Sequence, residues 1–155
     1  MPSGVSKQAG VHSAKDFLKG SRYGSDMSDH SPIRILLAED EEAMRTYLAR
    51  ALENAGYQVV AVDRGTAAVP FLESEHFDLL LSDIVMPEMD GIELAQRCNE
   101  LSPSTKVMFI TGFAAVTLKA SREQPRAKVL SKPFHLKDLV LEVERMFQPE
   151  VAARV

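Results

Sequence analysis

Short apolar runs and helical periods alternate through residues 33–147. "IRILLA" (33–38), "YQVVAV" (57–62), "DLLLSD" (78–83), "KVMFIT" (106–111) and "KVLS" (128–131) are brief and apolar with little alternation. That pattern predicts strands covered on both faces. Between them, "EEAMRTYLARALENAG" (41–56) places Met44, Tyr47, Leu48, Ala51 and Leu52 on one helical face and stops at Gly56. "GTAAVPFLES" (65–74) reads as a short helix. Pro70 is expected to distort it or delay its start, because proline fits only a first turn.

"GIELAQRCNEL" (91–101) predicts a helix with Ile92, Leu94, Ala95 and Cys98 inward. Asp90 is a good N-cap for it, and Gly91 a permissive turn residue. "FAAVTLKASREQ" (113–124) is a weaker helix, apolar around more of its girth than a solvated helix needs. It is therefore expected to share a partner surface with the fifth strand and the last helix. "HLKDLVLEVERMF" (135–147) carries Leu136, Leu139, Val140, Val143, Met146 and Phe147 on its core stripe, with His135 at the cap position. Strands alternating with helices in this way predict an α/β fold, a doubly wound five-stranded parallel sheet with five helices on its two faces.

Composition narrows the class. With 155 residues, 45% hydrophobic and 26% charged, the chain suits one domain with a single core. Residues 1–32 are rich in Ser, Gly, Lys and Asp and are expected to be disordered, since they can bury too little to offset chain entropy. Met27 is an alternative start. Residues 33–148 form the predicted domain, and 149–155 a short frayed tail. A net charge of −4 without a long basic run argues against nucleic acid as a partner. Apolar stretches are too short for membrane insertion. One cysteine, Cys98, forms no intrachain disulfide and fits a reducing cytoplasm. The four histidines are scattered, so zinc is not expected.

Ligands of such sheets sit at the carboxyl ends of the strands. The first strand ends in Glu39-Asp40, the third in Asp83, the fourth in Thr111 and the fifth in Ser131-Lys132-Pro133. Three carboxylates, a hydroxyl and an ammonium thus converge on one rim. Crowded carboxylates repel, and a hard divalent cation such as Mg2+, which takes oxygen ligands, relieves them. An aspartate beside such a cation can act as a nucleophile toward phosphorus. A hydroxyl and an ammonium can then bind the phosphoryl oxygens. The plainer readings are a strand-end aspartate, a charge pair favourable at a helix start, a capping threonine and a solvated lysine.

"LLAEDEE", "LLLSDIVMPEMDGIEL", "MFITGFA" and "VLSKPF" occur in this order, and with them residues 33–147 resemble the receiver domain of two-component response regulators, a flavodoxin-like fold. The resemblance implies that Asp83 is the phosphoacceptor and that Mg2+ is held by Glu39, Asp40, Asp83 and the main-chain carbonyl of Val85. Thr111 would be the switch hydroxyl and Lys132 the phosphate-sensing cation, with a cis peptide before Pro133. "LENAGYQVV", "KVMFITGFAAV" and "AKVLSKPFHLKDLV" are further similar to the stand-alone CpdR-type regulators of alphaproteobacteria. For these, the resemblance implies phosphorylation through a histidine kinase or histidine phosphotransfer protein. It also implies control of cell-cycle proteolysis through the ClpX unfoldase of ClpXP.

Two positions depart from the common pattern. Val129 stands where many receivers carry an aromatic switch residue, which leaves Phe113 to report movement of Thr111; Phe113, Val129 and Pro133 are the expected switch surface. Val85 stands where a polar side chain often flanks the phosphoryl group, which implies unexceptional or slow loss of phosphate.

Competing functions are a phosphate shuttle or kinase-regulating receiver, a haloacid-dehalogenase-type phosphohydrolase, a degenerate receiver and a nucleotide- or flavin-binding domain. The phosphohydrolase wants a second acid where Val85 stands, and no glycine-rich phosphate loop follows the first strand. The site is expected to catalyse only its own phosphorylation and dephosphorylation.

Overall fold

The computed structural model describes residues 31–148. Strands β1 (Arg34–Ala38), β2 (Gln58–Val62), β3 (Leu79–Asp83), β4 (Lys106–Thr111) and β5 (Lys128–Ser131) pair in the order β2-β1-β3-β4-β5. All pairs are parallel, with Ala38 opposite Val62 and Ser82, Asp83 opposite Ile110, and Thr111 opposite Ser131. Helices α1 (Glu42–Asn54), α2 (Gly65–Ser74), α3 (Gly91–Leu101) and α4 (Ala114–Glu123) supply the crossovers, and α5 (Leu136–Met146) follows β5.

The alternation of side chains along each strand divides the core in two. Leu36, Val60, Leu80 and Phe109 face α2, α3 and α4, meeting Ala68, Leu72, Ile92, Ala95, Cys98 and Ala120. Ile35, Leu37, Val59, Leu79, Leu81, Met108 and Ile110 face α1 and α5, meeting Leu48, Leu52, Leu139 and Val143. β3 is therefore buried from both sides along its whole length. Each leucine of its "LLL" contributes about 1.5–3 kcal/mol by leaving water. This is the rigid support on which Asp83 stands.

The predicted elements and their boundaries agree with the structure to within one or two residues, and three details differ. Tyr47 is 62% exposed rather than inward, and Ala49 is buried instead, because the α1 stripe tilts toward Leu48, Ala49 and Leu52. α2 runs unbroken through Pro70 from Gly65 to Ser74. The proline removes a donor at an exposed position, where Thr66 is also exposed, and burial of Ala68 and Leu72 on the other face outweighs that loss. His135 does precede α5, but its side chain makes no capping bond; its carbonyl accepts from the Asp138 and Leu139 amides.

The α3 start is as expected. Asp90 accepts from the Glu93 amide, and Glu93 returns a bond to the Asp90 amide, a capping box. Gly91 serves a different purpose from conformational freedom. A Cβ there would collide with the Asp83 carbonyl and come within 2.9 Å of the Ile84 Cα, so only glycine lets α3 begin against the end of β3. The predicted tail at 149–155 and nearly all of the predicted disorder in residues 1–32 lie outside the described residues. No described helix is long and apolar enough to cross a membrane.

Candidate functional site

β1 and β3 are neighbours although α1, β2 and α2 intervene in sequence, so the chain reverses its winding between them. The crevice at their carboxyl ends is where such folds bind ligands. β1 delivers Glu39 and Asp40 there, and β3 delivers Asp83. One oxygen from each of the three carboxylates lies within 4.8 Å of the others.

Their settings differ. Glu39 is 1% and Asp83 7% exposed, whereas Asp40 faces solvent. Glu39 Oε2 accepts from the Glu41 amide at 3.1 Å, but Oε1 is buried without a hydrogen-bond partner. Burial pushes the Glu39 carboxyl up to about 7; the Glu41 amide and the Lys132 charge oppose this, while Asp83 and Asp40 add to it. Asp83 is likewise raised by burial and pulled down by the charge and hydrogen bond of Lys132. A buried carboxylate oxygen without a hydrogen-bond partner, beside two further carboxylates, fits a hard divalent cation with an incomplete protein ligand set.

Lys132 follows β5, and its Nζ donates to Asp83 Oδ2 at 3.3 Å and lies 3.8 Å from Glu39 Oε1. The Lys132-Pro133 peptide is cis. Thr111 is buried at the end of β4. Its carbonyl accepts from the Lys132 amide at 2.7 Å, and its hydroxyl oxygen accepts from the Phe113 amide at 3.1 Å. Thr111 is thus tied to both Lys132 and the start of α4. Phe113, just before α4, is 59% exposed; Pro133 is exposed and Val129 half-buried against the core. α4 buries only Ala120, so its outer apolar residues, including the 67% exposed Leu118, face solvent.

The loop from β3 to α3 borders the cluster. Val85 is 45% exposed, and Glu88 takes a φ of 68°, a region few residues other than glycine adopt. Thr66 of α2 donates to Glu88 Oε1 at 3.3 Å, pinning that loop.

Sequence reading missed Arg45. Its Nη1 donates to the Glu39 carbonyl at 3.0 Å, reaching back from α1 to the acidic pair. The available signal was a basic residue one turn into the helix that follows two acids. A cavity of about 640 Å³ lies elsewhere, at the amino ends of β4 and β5, lined by Asn99, Lys106, Gln124 and Arg126 among others, and contains none of these groups.

Known proteins share this fold. The response regulator receiver domain family matches residues 35–144. Over 114 residues the chain is 62% identical to the response regulator receiver protein CpdR of Brucella abortus, which spans 73% of this chain and 95% of that protein. A crystal structure of a response regulator receiver protein from Sinorhizobium medicae superposes with a TM-score of 0.69 at 29% identity, over 76% of this chain and 96% of that one. The receiver domain of the hybrid histidine kinase CckA gives 0.64 at 33% identity, over 74% and 99%. The fold, the carboxylate cluster and these relatives together identify the chain as a member of the response regulator receiver domain family.

Proposed function

We propose that the protein is a phosphorylation-driven switch of the cytoplasm that accepts a phosphoryl group on Asp83 and responds by altering a protein-binding surface. The observation that carries the reading is the position of Asp83, buried beside the carboxylates of Glu39 and Asp40 and hydrogen-bonded by the Lys132 ammonium.

In this reading an Asp83 carboxylate oxygen forms a bond to phosphorus as the phosphorus–nitrogen bond of a donor phosphohistidine breaks. The electron pair leaves with the imidazole, and an acyl phosphate results. Lys132 favours the ionised form of Asp83 against the burial that raises its carboxyl, and pairs with a phosphoryl oxygen. The Thr111 hydroxyl still has its hydrogen to donate to another. Glu39, Asp40, Asp83 and the Val85 carbonyl are the groups that would hold Mg2+, which when bound neutralises charge on the incoming phosphate. The donor is a histidine kinase or histidine phosphotransfer protein.

Output follows from the connection of Thr111 to Lys132 and Phe113. A shift of the Thr111 hydroxyl toward phosphate releases the Phe113 amide and alters the face formed by Phe113, Val129 and Pro133. Charge-assisted bonds contribute about 1.5–3 kcal/mol each, and two suffice to move a balanced equilibrium far to one side. The 62% identity to the CpdR protein of Brucella abortus supports a protein partner as the listener. We assign that partner to the ClpX unfoldase, with control of ClpXP proteolysis in the cell cycle.

Backbone NMR with magnesium and beryllofluoride, or acetyl phosphate, tests the switch. Wild type should show shifts spreading from Asp83 through Thr111 to Phe113, and Asp83→Asn should show none. Identical responses from the two proteins would make the phosphoswitch reading wrong. Binding of wild type and Asp83→Ala to purified ClpX tests the output; absence of binding in both removes the protease assignment.

A further inference from the structure

We propose that Arg45 is a positioning residue for the acidic cluster, clamping the main chain at Glu39 so that Glu39 and Asp40 stay in the arrangement a divalent cation needs. The inference deepens the reading of this site as a magnesium-dependent phosphoacceptor and rests on it.

Glu39 lies just beyond the last ladder residue of β1, where the sheet no longer fixes the chain. Three bonds hold it. Its amide donates to the Val62 carbonyl at 3.1 Å, and its side chain accepts from the Glu41 amide two residues on. Its carbonyl accepts from Arg45 Nη1 at 3.0 Å. The second bond is internal to the acidic segment and moves with it. The first is made by the strand neighbour. The Arg45 side chain adds a direct tie from the Glu39 carbonyl to the body of α1, which is anchored in the core by Leu48, Ala49 and Leu52.

The pull is needed because the cluster opposes itself. Glu39 and Asp83 are both buried, and Lys132 is the cation within ion-pair distance of them. When both are ionised, repulsion drives the Glu39–Asp40 segment outward. A guanidinium suits the counter-hold, since it stays charged and offers several donors from a planar group. Asp63, at the end of β2, balances that charge. Its carboxyl is held low first by its hydrogen bond to Arg64, with the charges of Arg64 and Arg45 contributing further. Arg45 thus acts on the end of β1 through its hydrogen bond to the Glu39 carbonyl.

The test is a magnesium titration of the full chain by calorimetry, using the metal alone, for wild type, Arg45→Met and Arg45→Lys. Arg45→Met should bind magnesium about tenfold more weakly, the effect typical of removing a group that orients a metal ligand. Arg45→Lys, which keeps a donor and a charge, should recover part of the loss. With acetyl phosphate, Arg45→Met should need more magnesium for half-maximal labelling yet reach the wild-type rate at saturation. Val143→Ala, which destabilises the fold from α5 and leaves the α1 anchor intact, should leave magnesium affinity near wild type. Equal affinity in wild type and Arg45→Met overturns the proposal, as does a loss in Val143→Ala as large as that in Arg45→Met. A wild-type chain that takes up no magnesium overturns the function reading itself, and this proposal with it.

Discussion

The Lys132 ammonium donates to Asp83 Oδ2 at 3.3 Å from a strand that does not neighbour that of Asp83. β4 lies between β3 and β5, and Lys132 reaches across its end while its own amide is fixed by the Thr111 carbonyl. Lys132 therefore contacts Asp83 through its side chain and the main chain of Thr111 through its amide. Removing the ammonium leaves two buried carboxylates facing each other without compensation. Lys132→Met should destabilise the metal-free protein at pH 8 by about 1–3 kcal/mol, below the cost of breaking a fully buried pair because Lys132 is partly solvated. The loss should shrink at pH 5. Urea denaturation at the two pH values measures this, and a pH-independent loss would show that packing of the lysine stem, and not charge, is what matters.

Glu39 gives the metal-free protein a pH dependence of definite sign. Burial raises its carboxyl to about 7, whereas in the unfolded chain it titrates at an ordinary 4.5. Between those values the folded state holds a proton that the unfolded state has released. The stability due to this group is full below about pH 4.5 and is lost as pH rises through about 7. Asp83, also raised by burial, acts in the same direction. In a chelator, stability should thus fall from pH 5 to pH 8, and Glu39→Gln should be more stable than wild type at pH 8 by about 1–3 kcal/mol. Magnesium should reverse the wild-type slope by binding the ionised form. Parallel pH slopes for wild type and Glu39→Gln would refute the assignment of this dependence to Glu39.

Much of this candidate site was legible in the sequence because buried parallel strands leave unbroken apolar runs, and "LLLSD" ends at the carboxylate that joins the cluster. The strand ends named Glu39, Asp40, Asp83, Thr111 and Lys132 without knowledge of which strands were adjacent. The cation contact of Lys132 and the metal-compatible spacing needed the order β2-β1-β3-β4-β5, which no local pattern encodes. Tyr47 was misplaced because a helical face is a broad arc, and which part of it is covered depends on how α1 tilts over the sheet. Arg45 was missed because its partner is a main-chain carbonyl, invisible in residue types. Pro70 misled because propensity weighs a helix in isolation, while the inner face of α2 outweighs one lost donor.

Gly91 couples folding to the site. Its missing side chain is what lets α3 start against the Asp83 carbonyl and the Ile84 Cα, both rigid backbone. Gly91→Ala should cost about 1–3 kcal/mol through overpacking and should also displace Asp83, lowering its labelling by acetyl phosphate. Gly56→Ala is the informative contrast. Nothing lies within 4 Å of a Cβ at Gly56, but its φ is 101°, so it should cost about 1–2 kcal/mol from backbone strain alone and leave labelling intact. Denaturation together with the labelling rate separates the two. Equal labelling in wild type and Gly91→Ala would show that α3 yields while β3 stays in place.

Val85 bears on how long the signal lasts. It stands two residues after Asp83, 45% exposed at the edge of the carboxylate cluster. Hydrolysis of an acyl phosphate requires a water molecule held in line with the bond that breaks, and a side chain able to accept a hydrogen bond from that water speeds the step. Valine can do neither. The phosphorylated protein should therefore keep its phosphate for minutes or longer in magnesium at 25 °C. Val85→Asn and Val85→Glu should lose it severalfold faster, with folding unaffected because the side chain is solvent-facing. Phosphate release after rapid removal of the donor measures both lifetimes. Loss within seconds from the wild type would mean that another group at the rim, Thr111 or the Phe113 backbone, positions the water, and the lifetime would then be independent of the residue at 85.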